Sequence, residues 1–480
     1  MSLEYFKKIS FFGGPLLALF LVLVVDSAEL SGSAVVVAAA ALWMAIWWAS
    51  EAVHVSVTAF LPLILFPLAG VSDIAATAGS YSHPIIYLFF GGFIISIAVQ
   101  KCGLHQRVAL GIFEFAGVNA RAIVGAFMVA AAVISMWISN TSTTMMLLPI
   151  ATSVVYVIRE TMDDLSDKAL SNFELAMYLG LAYGATMGGI STLVGTPPNA
   201  FMAGFMESTY GIEVDFVRWM IIGVPLTLIM LPLVWWSLVR FIFPINFSAS
   251  DQTVEYLAAQ KKELGPWSTA EIRTMIIFIA LVLGWLLRKP LTELTGVAQL
   301  TDSSVALMAA VAAFVIPNGK DGQALIAWKD TKQLPWGVLI LFGGGLALAG
   351  GMTTSGLTAW LGASLSPLGT LHITLLVVAS CAMVIFLTEL TSNLATTATF
   401  LPVMAALAIE TNTDPLIFVV PIALAASFAF MLPVATPPNA IVFSTGRVPI
   451  QTMMRAGFIF NIVGIALLAL VATFLVPLVF

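Results

Sequence analysis

The chain has 480 residues, of which 60% are apolar and 9% charged, with a net charge of −6 at pH 7. An ordinary soluble domain is about 25% charged, so 19 basic and 25 acidic side chains cannot cover a soluble protein of this length. The mean hydropathy of +1.03 agrees, and the composition is that of an integral membrane protein.

The same figures exclude several functions. No basic arm is present for nucleic acid. Two cysteines, Cys102 and Cys381, build neither a disulfide scaffold nor a four-cysteine metal site. The histidines (His54, His83, His105, His372) are scattered without an H-E-x-x-H pattern, and no Walker lysine motif appears, so the chain carries neither zinc chemistry nor ATP hydrolysis of its own.

In chain order, Lys7 and Lys8 precede an apolar run over 11–25 that resembles a signal peptide, but Asp26-Ser27-Ala28-Glu29 is a poor cleavage site. An uncleaved first span is predicted. Further apolar stretches cover 34–50, 54–70, 84–100, 122–158, 173–206, 219–243, 271–287, 303–316, 335–352, 371–409, 415–443 and 456–479. One helical span takes about 20 apolar residues. The stretches 122–158, 173–206 and 371–409 exceed that, and each is interrupted by polar residues, Pro or Gly. The most polar stretch, 246–270, reads as a cytoplasmic connection.

Basic residues test the topology. If 122–158 and 371–409 each enter and leave on one face while the other eleven stretches cross, 16 of the 19 Lys and Arg fall on one side with the N-terminus. Only Arg218, Arg288 and Lys289 fall on the other. If both long stretches cross once, the split is 10 against 9. The positive-inside rule selects the first arrangement. It predicts an all-α polytopic membrane protein of 11 transmembrane helices plus two re-entrant hairpins. The N-terminus is cytoplasmic and the C-terminus extracytoplasmic.

The chain also repeats itself. Phe90-Gly91-Gly92 recurs as Phe342-Gly343-Gly344, and Gly103-Leu104 as Gly356-Leu357. Ser139-Asn140-Thr141-Ser142-Thr143-Thr144 recurs as Ser392-Asn393-Leu394-Ala395-Thr396-Thr397, at an offset of 253. Thr196-Pro197-Pro198-Asn199-Ala200 recurs unchanged from Thr436 to Ala440. The predicted halves are 1–245 and 271–480. Their Ser-Asn hairpins enter from opposite faces, as in the inverted repeats of many secondary transporters. Internal symmetry is equally compatible with a channel.

The polar islands lie where hydrocarbon is expected. Backbone groups freed by Pro and Gly survive there only when buried in protein or lining a wet cavity. Hydroxyls, amides and carbonyls suit a hard cation such as Na⁺, and helix N-termini with Asn and Thr donors suit a carboxylate. Single Ser/Thr/Gly clusters in membrane helices serve packing; the matched duplication of both motifs favours function. Glu389 is a candidate proton site or a structural hydrogen-bonding group, and the second reading is preferred. Glu51 and His54 are placed at the inner end of the second span. Glu114, Arg121, Arg159 and Glu174 are expected to cap the first hairpin in the interface. The tryptophans, Trp43, Trp47, Trp48, Trp235 and Trp236 among them, read as an aromatic belt.

Taken together, the paired Ser-Asn hairpins and paired Thr-Pro-Pro-Asn-Ala breaks resemble the divalent anion:sodium symporter (DASS) family of dicarboxylate and citrate transporters. The likeness covers both halves. It implies an elevator-type homodimer with scaffold and transport domains in a bacterial inner membrane. It also implies sodium-coupled uptake of a small C4-dicarboxylate anion without an organic cofactor. By the resemblance, one sodium site uses Ser135, Ser139, Asn140 and Gly195, and the other Thr388, Thr391, Asn393 and Ala435. Substrate carboxylates lie on Asn140, Thr141, Thr196, Pro197, Asn393, Thr436 and Pro437. Leu394 departs from the Thr of many bacterial members and is the candidate specificity residue. The open alternatives are a dicarboxylate exchanger, a sodium-coupled citrate or sulfate carrier, and a channel with re-entrant pore loops. No paired acid/base or metal constellation suggests an enzyme.

Overall fold

The computed structural model describes residues 3–25, 30–162, 165–297 and 299–480. The cleavage-site reading of Asp26 to Glu29 lies outside them. Helices carry the described chain, with isolated β-bridges at Asn119–Ser248 and Pro317–Ala324. Among the described residues, nine helices are long and apolar enough to span a membrane, from Glu4–Val24 to Ile450–Val479. A tenth follows if the pair Leu357–Thr370 and Ile373–Thr388, bent by 119°, is one span.

This is fewer than the eleven crossings expected. Long apolar stretches are not all long helices. The stretch over 54–70 breaks into Val55–Thr58 and Leu61–Leu68. Asp302–Val315 and Leu416–Ala425 are only 14 and 10 residues long. The polar connection over 246–270 is itself partly helical, at Asp251–Glu263.

The element order of one half recurs in the other. Pro84–Cys102, Leu104–Phe113, Ala120–Ser135, Asn140–Thr161, Asp167–Gly189 and Pro197–Tyr210 are followed by a long helix, Phe216–Ser237, ending in a π-turn at Leu238–Ile242. Later come Trp336–Thr354, Leu357–Leu365, Ile373–Thr388, Asn393–Glu410, Leu416–Ala425 and Pro437–Phe443. Again a long helix, Ile450–Leu470, ends in a π-turn at Val471–Leu475.

Each long polar-centred stretch is two helices joined by four residues, 136–139 and 389–392. The first of these hairpins is held on the Asp167–Gly189 helix by small residues one turn apart. A Cβ on Gly184 would sit 2.7 Å from the Met128 carbonyl oxygen, and one on Gly188 would collide with the Ala132 backbone. Without these glycines the backbones could not approach so closely.

Ion pairs sort into two sets. Lys7–Glu51, Lys101–Asp330, Arg107–Glu271, Lys261–Glu114 and Arg159–Glu174 join residues assigned to the N-terminal face. Arg218, Arg288 and Lys289 meet Glu213, Asp215 and Asp302 at the other. Arg121, flanking the first hairpin, donates instead to Asn246 and to the Ile245 carbonyl.

Arg107 Nε and Glu271 Oε1 are 2.7 Å apart, with side chains 11% and 7% exposed. Removing one partner of a buried pair strands the other charge at about 3–5 kcal/mol. Arg107→Gln is therefore expected to lower the denaturation midpoint of the detergent-purified protein markedly. An unchanged midpoint would deny this pair its role in joining Leu104–Phe113 to Thr269–Leu286.

The tryptophans are only in part a belt. Trp48, Trp219 and Trp285 are fully buried. The Trp219 indole N–H donates to the Ile190 carbonyl at 3.0 Å, and that of Trp48 to Val55 at 3.1 Å. The break after Asp167–Gly189 frees the Ile190 carbonyl, and the Trp219 indole satisfies it.

Candidate functional site

Both Thr-Pro-Pro-Asn motifs follow an unwound segment. Asp167–Gly189 ends, residues 190–196 run irregularly, and Pro197 and Pro198 begin the next helix. Leu416–Ala425 likewise gives way to 426–436 before Pro437 and Pro438. Proline suits the first helical turn, where its missing N–H would have no intrahelical partner.

The motif asparagines hold the breaks. The Asn199 Nδ2 donates to the carbonyls of Gly189 (3.2 Å) and Thr192 (2.7 Å). The Asn439 Nδ2 donates to Ala429 and Leu432, each at 3.1 Å. Neither Asn was among the expected site residues, although the unchanged recurrence of the motif marks both.

At the first hairpin tip, Ser139 caps the Asn140–Thr161 helix, its Oγ accepting the Ser142 N–H at 3.3 Å. Ser135 Oγ donates to Asn140 Oδ1 at 2.6 Å. Thr192 Oγ1 reaches from the break to the Met136 carbonyl at 2.6 Å and accepts the Gly195 N–H at 3.1 Å. A Cβ on Gly189 would strike the Asn140 side-chain amide, and one on Gly195 would strike the Gly189 carbonyl. Ser135, Asn140, Gly189 and Gly195 thus form one close-packed cluster.

The second tip repeats this. Thr388 Oγ1 lies 2.9 Å from Asn393 Oδ1 and 2.8 Å from the Ala426 carbonyl oxygen. Three oxygens converge there with one hydroxyl proton among them, and the adjacent Ser427 Oγ is buried without a partner. An excess of oxygen acceptors over protons is what a hard cation fills. Thr391 is engaged differently: it pairs with Thr396 at 2.6 Å.

Glu389 is wholly enclosed. Its carboxylate accepts N–H bonds from Phe430 (2.8 Å), Met431 (2.9 Å), Leu432 (2.9 Å) and the Asn461 amide (2.8 Å). This is the structural role preferred for it.

All four motifs open onto one cavity of about 1340 Å³. Its lining includes Ser139, Asn140, Thr141, Gly195, Thr196 and Pro197 of one half. From the other come Thr391, Asn393, Leu394, Ala435, Thr436 and Pro437. Ser135 and Thr388 lie behind this lining, fully buried. The motif residues contribute no Lys or Arg; Lys7, Glu51 and His54 are also among the lining residues. Helices begin at Asn140, Pro197, Asn393 and Pro437, so N-terminal dipole ends face the cavity.

The two sides differ chemically. The first offers Thr141 and Ser142 hydroxyls; the second has Leu394 and Ala395 in their places, and Ser392 makes no side-chain cap. Leu394→Thr is therefore expected to shift the uptake preference toward hydroxylated or larger anions such as malate and citrate over succinate. Identical competition profiles for the two proteins would remove Leu394 as a specificity residue.

Comparison with known proteins follows the same lines. Residues 15–480 match the family described as the sodium:sulfate symporter transmembrane region. The chain is 39% identical to the sodium-dependent dicarboxylate transporter SdcS of Staphylococcus saprophyticus, covering 97% of this chain and 90% of that protein. It is 37% identical to SdcS of Staphylococcus aureus, with the same coverages. Among solved structures, Alcanivorax borkumensis YdaH superposes at a TM-score of 0.57 with 14% identity, covering 82% of this chain and 86% of that one. Neisseria gonorrhoeae MtrF gives 0.56 with 11% identity, covering 84% of each. The last two are likenesses of fold.

Proposed function

Because the chain belongs to the sodium:sulfate symporter family, we propose that it is a secondary transporter, not an enzyme, that carries C4-dicarboxylates such as succinate into the cell with sodium. The observation that carries this reading is the convergence of four duplicated motifs on one cavity. Two SdcS proteins similar over almost the whole chain are named sodium-dependent dicarboxylate transporters.

Sodium occupies the oxygen clusters behind the two tips. Ser135, Ser139, Asn140 and the Gly195 region form one site, and Thr388, Thr391, Asn393 and the Ala435 region the other. The dicarboxylate lies between them, against Asn140, Thr141, Thr196, Pro197, Asn393, Thr436 and Pro437. With no basic side chain in the motifs, the bound cations, helix N-termini and amide donors supply the positive potential. Sodium orders the tips, the anion then finds its donors in place, and the sodium gradient drives accumulation.

The halves 1–245 and 271–480 act as inverted repeats, joined by the cytoplasmic 246–270 connection. The hairpins are re-entrant and stand apart from the eleven crossings. The N-terminus is cytoplasmic and the C-terminus extracytoplasmic in a bacterial inner membrane. The chain works as an elevator-type homodimer, with hairpins and broken helices in the moving domain.

Proteoliposomes loaded without substrate test this. Saturable uptake of labelled succinate that requires external sodium is the expected result. Uptake that requires internal dicarboxylate and ignores sodium would replace symport with exchange, and competition by citrate or sulfate alone would replace the substrate. Unsaturable conductance would replace the carrier with a channel.

A further inference from the structure

The start of one long helix is held by groups from a different packing unit. Phe216–Ser237 is bonded to the first hairpin and the first break. Trp219 Nε1 donates to the Ile190 carbonyl at 3.0 Å, Thr227 Oγ1 to the Met187 carbonyl at 2.8 Å, and Trp235 Nε1 to the Arg121 carbonyl at 2.9 Å. Asp302–Val315 is bonded elsewhere. Ser303 Oγ donates to the Pro84 carbonyl at 2.7 Å, and the Trp285 indole to the Asp302 carbonyl at 3.0 Å. A Cβ on Gly91 would sit 2.6 Å from the Ala306 backbone. Pro84–Cys102, Thr269–Leu286 and Asp302–Val315 thus form a second unit, which carries neither Ser-Asn tip nor Thr-Pro-Pro-Asn break.

The two units meet at Phe216. Asp302 Oδ2 accepts the Phe216 N–H at 3.0 Å, one of the groups that a helix start leaves without an intrahelical partner. The Phe216 ring stacks on Trp285 at 4.3 Å, and Trp137 of the first tip packs on Phe278 and Trp285. Arg288, held 3.0 Å from Asp302, reaches Glu213 at 2.6 Å, and Lys289 reaches Asp215 at 2.8 Å. Asp215, Arg288 and Asp302 are enclosed, but Glu213 and Lys289 are each 58% exposed. Water therefore reaches the edge of this seam. Half-exposed ion pairs add little net stability, and charges that part there are rehydrated, so the contact is reversible.

We infer that this cluster is a latch. Asp302, Arg288 and Lys289 grip the start of Phe216–Ser237 in the present state and release it each time the unit carrying the motifs moves. This rests on the sodium-coupled, elevator-type reading above. The first unit carries a tip and a break that line the cavity, so moving the cavity past the second unit pulls Phe216 away from Asp302.

The test joins the two units covalently. Full-length Glu213→Cys/Arg288→Cys, which retains Cys102 and Cys381, is treated with a short bis-thiosulfonate crosslinker, checked by peptide mass and reconstituted in proteoliposomes. Crosslinking is expected to lower sodium-driven succinate uptake at least tenfold, and reduction to restore it. Thermal stabilisation by sodium and succinate is expected to persist, with midpoints within threefold, because the cavity is untouched. Each single-cysteine variant, treated alike, is expected to keep its uptake. Asp215→Cys/Lys289→Cys is the second pair if the first does not fold. In that second pair Asp302→Asn, which keeps the shape and loses the charge, is expected to slow crosslinking at limiting reagent at least threefold.

Crosslinked protein with undiminished uptake overturns the inference, since the units would then stay together throughout transport. So does loss of stabilisation together with uptake, an equal loss in the single-cysteine variants, or failure of both pairs to crosslink. A crosslinking rate that Asp302→Asn leaves unchanged overturns it too, since charge would not hold the seam. A wild type without sodium-driven succinate uptake instead overturns the reading on which the inference rests.

Discussion

Asn140→Ala and Asn393→Ala are each expected to reduce sodium-driven succinate uptake by 100-fold or more while leaving the protein folded. Each asparagine does two things at once. Its Oδ1 lies in the oxygen cluster with Ser135 or Thr388, and the residue lines the cavity where the anion is to sit. Truncation removes an oxygen from the cation site and a donor from the carboxylate. A lost hydrogen bond to a charged group costs about 1.5–3 kcal/mol, and about 1.4 kcal/mol is tenfold. Two such losses multiply, because the anion depends on the cation being present. The fold should survive, since the helix backbones, the Ser139 cap and the Asn199 and Asn439 clamps do not involve these side chains. Size-exclusion behaviour like that of wild type with abolished uptake is the expected pair of readings. Normal uptake by either variant would remove that half from the site.

Gly189→Ala is expected to be nearly as damaging, although it adds one methyl group away from the cavity lining. The new Cβ would meet the Asn140 amide, with Oδ1, Nδ2 and Cγ all in its path. In an exposed helix the same change stabilises by about 1 kcal/mol. Here overpacking costs about 1–3 kcal/mol, and the part that yields is a side chain proposed to coordinate sodium. The sodium requirement should rise steeply and uptake fall at least tenfold. Gly111→Ala is the control, since a Cβ at Gly111 meets nothing within 4 Å; its uptake should equal wild type. Sodium dependence of Gly189→Ala indistinguishable from wild type would show that Asn140 need not hold its present position.

The chain's site was unusually legible because duplication gave each motif an internal check. Ser139-Asn140 and Ser392-Asn393 stand at the tips expected, and both Thr-Pro-Pro-Asn segments open the helices after the breaks. Less legible was how many apolar stretches become long helices. Hydropathy reports partition into lipid or protein alike, so Leu416–Ala425, short and buried, has the same appearance as part of a full span. The tryptophans misled for a related reason: an indole at a membrane interface and one satisfying a broken helix look alike in sequence.

By itself, then, the sequence determined what is local or repeated. Charge scarcity made it a membrane protein, Pro-Pro and Ser-Asn marked where helices begin, and matching motifs recurring in the same order pointed to a repeated chain. Tertiary structure alone decided which atoms meet. That Gly189 leaves room for Asn140, that Asn199 and Asn439 satisfy freed carbonyls, and that Glu389 draws together three consecutive N–H groups with Asn461 are contacts between residues up to 72 positions apart. They follow from how closely helices approach and which freed backbone groups lie within reach, and these are properties of the packed assembly that no single segment encodes.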